Sequence, residues 1–184
     1  MSDLSKKIIG LVGMPGSGKS TALEIAKSYG EVVVMGDSLR MELKKRGIDI
    51  TPESLGALSK ELREKEGPSA IANRCIEKIK ASPSKVVFVD GLRSMDEVNY
   101  FRDQFEMIIV AVIAPDNLRH QWLLSRKRSD DGATLEKIQE RDAREIAFGL
   151  HVAIENADFV INNLGSIDEL HFNCKMTFES VIAN

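Results

Sequence analysis

Residues Gly13-Met14-Pro15-Gly16-Ser17-Gly18-Lys19-Ser20 follow the apolar run Ile8-Ile9-Gly10-Leu11-Val12 and satisfy the spacing G-x-x-x-x-G-K-[ST] behind a short strand. A loop between a buried strand and a helix N-terminus turns several backbone N–H groups toward one point, where the helix dipole adds positive potential. That arrangement suits a polyphosphate. Lys19 can then reach the β- and γ-phosphates while the Ser20 hydroxyl ligates the Mg²⁺ bridging them, with Thr21 the next residue into the helix. An ordinary Gly-rich turn asks for neither Lys19 nor Ser20 at that point. The stretch 13–21 therefore predicts a nucleotide-binding loop with ATP and Mg²⁺ as its ligands.

Outward from this loop, short apolar runs rich in β-branched residues recur at 8–12, 32–35, 86–89, 107–113 and 159–161, and each reads as a buried strand. Helical patterns separate them. They run over 20–29 closed by Gly30, 52–66 closed by Gly67, 68–80 closed before Pro83, 116–126, and a long stretch from about Thr134 through Leu150. A terminal helix opens near Ser166, where Ser166-Ile167-Asp168-Glu169 offers a capping box. This alternation predicts an α/β protein of the P-loop NTPase fold, a five-stranded parallel sheet flanked by helices on both faces. With 184 residues and 43% hydrophobic content, the chain has room for a single domain, 1–184, and no repeat or linker divides it.

In such a sheet ligands gather at the carboxyl ends of the strands. Asp37 and Arg40 follow the second strand, Asp90 and Arg93 the third, and Asn162 and Asn163 the fifth. Asp90 ends an apolar strand, so it either holds Mg²⁺ or caps the helix after Gly91. Arg93 on the same turn can grip an acceptor phosphate bidentately. Asp37 either caps the helix carrying Leu39, Met41 and Leu43 or accepts the proton of a substrate hydroxyl, with Arg40 on a substrate phosphate. Asp37, Arg40 and Arg93 are thus the candidate acceptor-binding residues, with the helical segment at about 37–80 around them. Asn163 is a candidate for the edge of the nucleotide base. Residues 118–132 concentrate Arg119, Arg126, Lys127 and Arg128, and Arg141 and Arg144 follow on the next helix. A mobile basic segment that closes over a phosphoryl group supplies cations and excludes water, so a lid is expected at about 125–133, with Arg126 or Arg128 as its catalytic cation.

Lys plus Arg number 25 against 28 Asp plus Glu, a net charge of −3, which gives no general electrostatic reason to bind nucleic acid or an anionic membrane. The two cysteines, Cys75 and Cys174, fall in no metal-ligand spacing and read as buried thiols of a reducing, cytoplasmic compartment. The N-terminus reads as a core strand, not a signal peptide, and the longest apolar run, 107–114, is far short of the roughly 20 residues of a membrane helix. No sequence signal fixes an oligomeric state.

The loop 13–20, Gly36-Asp37-Ser38-Leu39-Arg40, Asp90-Gly91-Leu92-Arg93, and Arg128-Ser129-Asp130-Asp131 followed by Arg141 resemble adenylate kinase and its nucleoside monophosphate kinase relatives. The ending, Ala157-Asp158-Phe159-Val160-Ile161-Asn162-Asn163 with Gly165-Ser166 and Glu169-Leu170, is more similar to the last strand and base-flanking loop of dephospho-CoA kinase. Together they look like an uncharacterised, chiefly archaeal family of adenylate-kinase-related P-loop kinases, over nearly the whole chain. The resemblance implies a nucleoside-monophosphate-kinase-like fold, ATP with Mg²⁺ as donor, and a small nucleotide-like acceptor near Asp37, Arg40 and Arg93. Adenylate kinases place a Gln a few residues beyond the third-strand motif to read AMP; Glu97 stands there in this chain.

Two functions follow as expectations. The first is an ATP-dependent small-molecule kinase in which Lys19 stabilises the transferring group, Ser20 and Asp90 organise Mg²⁺, and the acceptor is a nucleoside monophosphate or a dephospho-CoA-like alcohol. The alternative is a nucleotide-dependent switch or assembly-factor ATPase with weak kinase activity. Its common forms are disfavoured, because the chain has no Asn-Lys-x-Asp to read guanine and carries Gly91 where many motor ATPases place Glu.

Overall fold

The computed structural model describes residues 6–126 and 134–183. Five strands, β1 (Lys7–Val12), β2 (Glu31–Val34), β3 (Val86–Asp90), β4 (Glu106–Ile113) and β5 (Phe159–Asn162), form one parallel sheet in the order β2-β3-β1-β4-β5. The apolar runs are continuous because both faces are covered, so alternate residues enter different cores. Ile9 and Leu11 of β1, with Val110 and Val112 of β4, face α1 (Lys19–Ala26) and the C-terminal helix at Ile167–Ala183. Phe88 and Phe178 meet edge to face there, with ring centroids 5.0 Å apart, worth about 0.5–1.5 kcal/mol beyond their burial.

The other face carries Ile8, Val12, Val87, Val89, Ile109 and Ala111. It is covered by α2 (Gly36–Arg46), α3 (Pro52–Glu66), α4 (Ala70–Asn73), α5 (Ile76–Ala81), α6 (Met95–Arg102) and the later α9 (Leu150–Glu155). Local chemistry sets these helices. Thr51 Oγ1 accepts from Ser54 N at 3.1 Å and Ser54 Oγ accepts from Thr51 N at 2.9 Å, with Pro52 opening α3, so its start is fixed by a full capping box. Ser94 caps α6, accepting from Glu97 N.

Strand boundaries fall within a residue of the expected runs, and α3 matches its expected span. Three expected helices differ. The stretch 68–80 is two pieces, because Cys75 N donates to Ala72 O at 2.9 Å in a tightened turn while the Cys75 thiol and the Arg74 guanidinium occupy the carbonyls of Ile71 and Ala70. The long pattern from Thr134 is α8 (Leu135–Ala147) followed by α9, separated at Gly149, whose φ of 94° ends the helical path. α1 stops at Ala26 rather than Tyr29, since Ser28 N and Tyr29 N turn to Ile25 O and Ala26 O. α7 (Asp116–Arg126) precedes α8, and α10 (Ile167–Ala183) closes the described chain with Ser166 Oγ accepting from Glu169 N at 3.2 Å. Both cysteines are buried, and burial pushes each thiol up to about 11. Among the described residues no helix is long and apolar enough to cross a membrane.

Candidate nucleotide and acceptor site

The sheet order puts β1 between β3 and β4, so the chain leaves the centre of the sheet in opposite directions and opens a crevice at the carboxyl edge of β1. The loop after β1 lies there. Gly18 adopts φ 108° at the start of α1, and a Cβ on it would stand 2.7 Å from Asn163 Nδ2. Gly16 adopts φ 79°, with a Cβ position 2.9 Å from Leu123 Cγ and 3.1 Å from Arg119 O. The loop is therefore a close-packed cradle, held by α7 on one side and by the end of β5 on the other. Asn163 donates its amide to Ser17 O at 3.0 Å, and the Ser17 hydroxyl is buried without a partner among the described residues. Ser20 is exposed on the first turn of α1, with Thr21 beside it and half-buried.

The Lys19 ammonium folds back over the loop and donates to the carbonyl oxygens of Gly13 and, at 3.3 Å, Met14. Burial pushes it down to about 8, against the pull of the Asp90 and Glu145 carboxylates, while Arg141 and Arg93 push the same way as burial. Asp90 ends β3 opposite Leu11 of β1, and its carbonyl accepts from Met35 N at 2.9 Å. Burial raises its carboxyl, with Lys19 as the chief opposing charge. An oxygen-ligand cation suits this place: a partly buried carboxylate beside the phosphate loop, with the Ser20 hydroxyl exposed at the helix start. The cradle and this donor set fit a Mg²⁺-bound triphosphate.

Asp37 and Arg40 lie on the first turns of α2, where Arg40 Nη1 donates to Asp37 Oδ1 at 2.9 Å and both side chains are half exposed. Arg93 pairs with Glu145 of α8 at 3.0 Å, and its backbone N–H donates to Glu97 Oε2 at 2.8 Å. Glu97 is fully buried, and its other oxygen accepts from Arg63 Nη2 at 2.7 Å. Burial raises the Glu97 carboxyl and the Arg63 guanidinium opposes it. Glu97 is thus committed to an internal ion pair. Arg63 and Arg93 also sit over the Phe148 ring, 5.2 and 5.7 Å from its centroid.

The structure brings the loop, Asp90 and Arg93 to one crevice, with Asp37 and Arg40 on the helix after β2. Arg126 is the last residue of α7, and Arg128 with the rest of the expected lid at 127–133 lies outside the described residues. Arg119, read in the sequence as part of the basic stretch 118–132, is 2% exposed, its guanidinium taken up by Pro15 O, Asp116 and Asp142. Sequence reading missed Arg63, Glu145 and Phe148. Nothing in their local sequence marks them, since each meets its partner only when α3, the turn after β3 and the α8–α9 junction come together.

Residues 12–139 match the family model described as an AAA domain. The chain is 46% identical over 171 residues to the UPF0200/UPF0201 protein of Archaeoglobus fulgidus, covering 90% of this chain and 53% of that protein, so it spans about half the length of that relative. It is 44% identical over 165 residues to a UPF0200 protein of Methanocaldococcus jannaschii, covering 88% of this chain and 84% of the other. Among solved structures, TT1252 from Thermus thermophilus superposes with a TM-score of 0.67 at 19% identity, covering 97% of both chains. Shikimate kinase from Acinetobacter baumannii gives 0.58 at 18% identity over 97% of this chain and 94% of that one. Dephospho-CoA kinase from Campylobacter jejuni gives 0.56 at 16% over 96% and 98%. The fold is that of the P-loop kinases.

Proposed function

The chain belongs to the UPF0200 family, and on that footing we propose that it is an ATP-dependent kinase that moves the γ-phosphoryl group to a small nucleotide-like acceptor. The observation that carries this reading is the convergence of Lys19, Asp90 and Arg93 at the carboxyl edge of β1 and β3, within each other's electrostatic reach. In this reading the loop N–H groups and Lys19 hold the β- and γ-phosphates, so that charge developing on the transferred group meets donors already in place. Lys19 exchanges its bonds to Gly13 and Met14 for phosphate oxygens. Ser20 and Asp90 would hold Mg²⁺, which when bound neutralises charge on the β- and γ-oxygens. Arg93 and Arg40 orient the acceptor, and Asp37 takes the proton where the acceptor presents a hydroxyl. Arg126 or Arg128 supplies a further cation from the lid segment.

The test is a screen of nucleoside monophosphates and dephospho-CoA with γ-labelled ATP and Mg²⁺. Label appearing on one acceptor class, and phosphate release that requires that acceptor, is the expected result. Acceptor-independent hydrolysis stimulated by a protein partner would replace the kinase with a nucleotide-dependent switch.

A further inference from the structure

Resting on the nucleotide-binding reading above, we infer that Arg119 is a positioning residue of the phosphate loop, acting through the Pro15 carbonyl. Its side chain is 2% exposed, and each of its three guanidinium nitrogens has a polar partner. Nη1 donates to Pro15 O at 2.6 Å and lies 3.4 Å from Asp142 Oδ1; Nη2 donates to Asp142 Oδ2 and to Asp116 Oδ1, each at 2.7 Å; Nε reaches Asp116 Oδ1 at 3.2 Å. Asp142 is itself 9% exposed and lies 3.2 Å from His120 Nε2. A buried guanidinium with its charge balanced by two carboxylates is thus aimed at one backbone oxygen in the middle of the loop.

The geometry of the peptide unit gives that contact a consequence. The Pro15 C=O and the Gly16 N–H share one plane and point in opposite directions, so whatever fixes the carbonyl fixes the direction of the N–H. A charge-assisted bond to the oxygen also polarises the amide and makes its N–H a better donor. Gly16, at φ 79°, lies so close to α7 that a Cβ on it would stand 2.9 Å from Leu123 Cγ and 3.1 Å from the Arg119 carbonyl, so the loop has no room to compensate by moving toward α7. The series Asp142, Arg119, Pro15 O and Gly16 N–H therefore presents a pre-aimed donor to the phosphates, and it ties the loop to α8 as well as α7. Arg119 touches no reacting atom; it acts on affinity for the triphosphate through the loop.

The test separates positioning from packing. Arg119→Met alone strands the buried Asp142 carboxylate and destabilises the chain for that reason. The paired change Arg119→Met with Asp142→Leu removes both charges and refills the space with apolar groups, which commonly preserves stability. Calorimetric titration of MgATP into the full chain is compared with its thermal midpoint. The expected result is a wild-type midpoint kept to within a few degrees while MgATP affinity falls at least about fivefold; Arg74→Met, at a surface pair with Glu66, leaves affinity unchanged. Unchanged MgATP affinity in a folded double variant overturns the inference. Should the double variant fail to fold, Asp142→Asn decides: a loss of about twofold or more with the midpoint kept supports the inference, and unaltered affinity overturns it. A wild-type chain without MgATP affinity removes the nucleotide-binding reading and this inference with it, whereas intact wild-type binding with unaffected variants removes this inference alone.

Discussion

The Asn163 side-chain amide donates to the Ser17 carbonyl at 3.0 Å, joining the end of β5 to the phosphate loop across 146 positions of sequence. Asn163 is 7% exposed, and the same Nδ2 stands where a side chain on Gly18 would begin. The end of the last strand is therefore part of the wall that gives the loop its shape. Because the bond is buried, Asn163→Ala leaves the Ser17 carbonyl without its donor at a cost of about 1–3 kcal/mol. Urea unfolding of the variant is expected to read that loss, together with weaker MgATP binding.

In the proposed function Lys19 is expected to make nucleotide affinity pH-dependent. Its folded value of about 8 lies below its ordinary 10.5, so between these values the unfolded chain holds the extra proton and the free protein gains stability as pH rises. Below about pH 8 both states are protonated and this contribution is flat. Polyphosphate binding runs the other way, since it needs the ammonium. MgATP affinity is expected to hold steady up to about pH 8 and then to fall, approaching about tenfold per pH unit, in a calorimetric series. A Lys19→Met chain has no such pH dependence in either stability or binding.

Glu97 is fully buried and shared between Arg63 Nη2 and the Arg93 backbone. Removing one member of a buried ion pair costs about 3–5 kcal/mol, because the partner charge is stranded. Glu97→Ala is expected to lower stability by that order in chemical denaturation, far more than Glu64→Ala, whose partner Lys60 lies 3.8 Å away on the exposed face of α3.

Asp90→Asn keeps the size of the side chain and removes the charge. With the Ser20 hydroxyl left as the remaining protein ligand, the Mg²⁺ concentration for half-maximal turnover is expected to rise about tenfold, an apparent loss of about 1.4 kcal/mol. A Mg²⁺ titration with the acceptor found by the labelled-ATP screen reads this directly, and an unaltered Mg²⁺ requirement would place the metal elsewhere.

The strands, their parallel pairing and the loop were legible in the sequence because buried parallel strands leave continuous apolar runs and because the loop's residue types are set by local geometry. Asp90 was legible for the same reason, as a carboxylate ending such a run. The role of Arg119 was not: in sequence it is one more cation in a basic stretch, and only the approach of α8 places Asp142 against it. The same holds for Arg63 and Glu97, 34 residues apart, and for Phe148, which is set by the break at Gly149. Ion pairs between elements depend on helix orientation, which periodicity does not encode.

The central claim is that the loop at 13–20 holds a Mg²⁺-bound nucleoside triphosphate with Lys19 on its phosphates. Calorimetric titration of MgATP into the wild-type chain and into Lys19→Met at pH 7 tests it most directly. Saturable one-to-one binding to the wild type, weakened at least about hundredfold in the variant, is the predicted result; equal affinity in the two chains, or no binding to either, would contradict it.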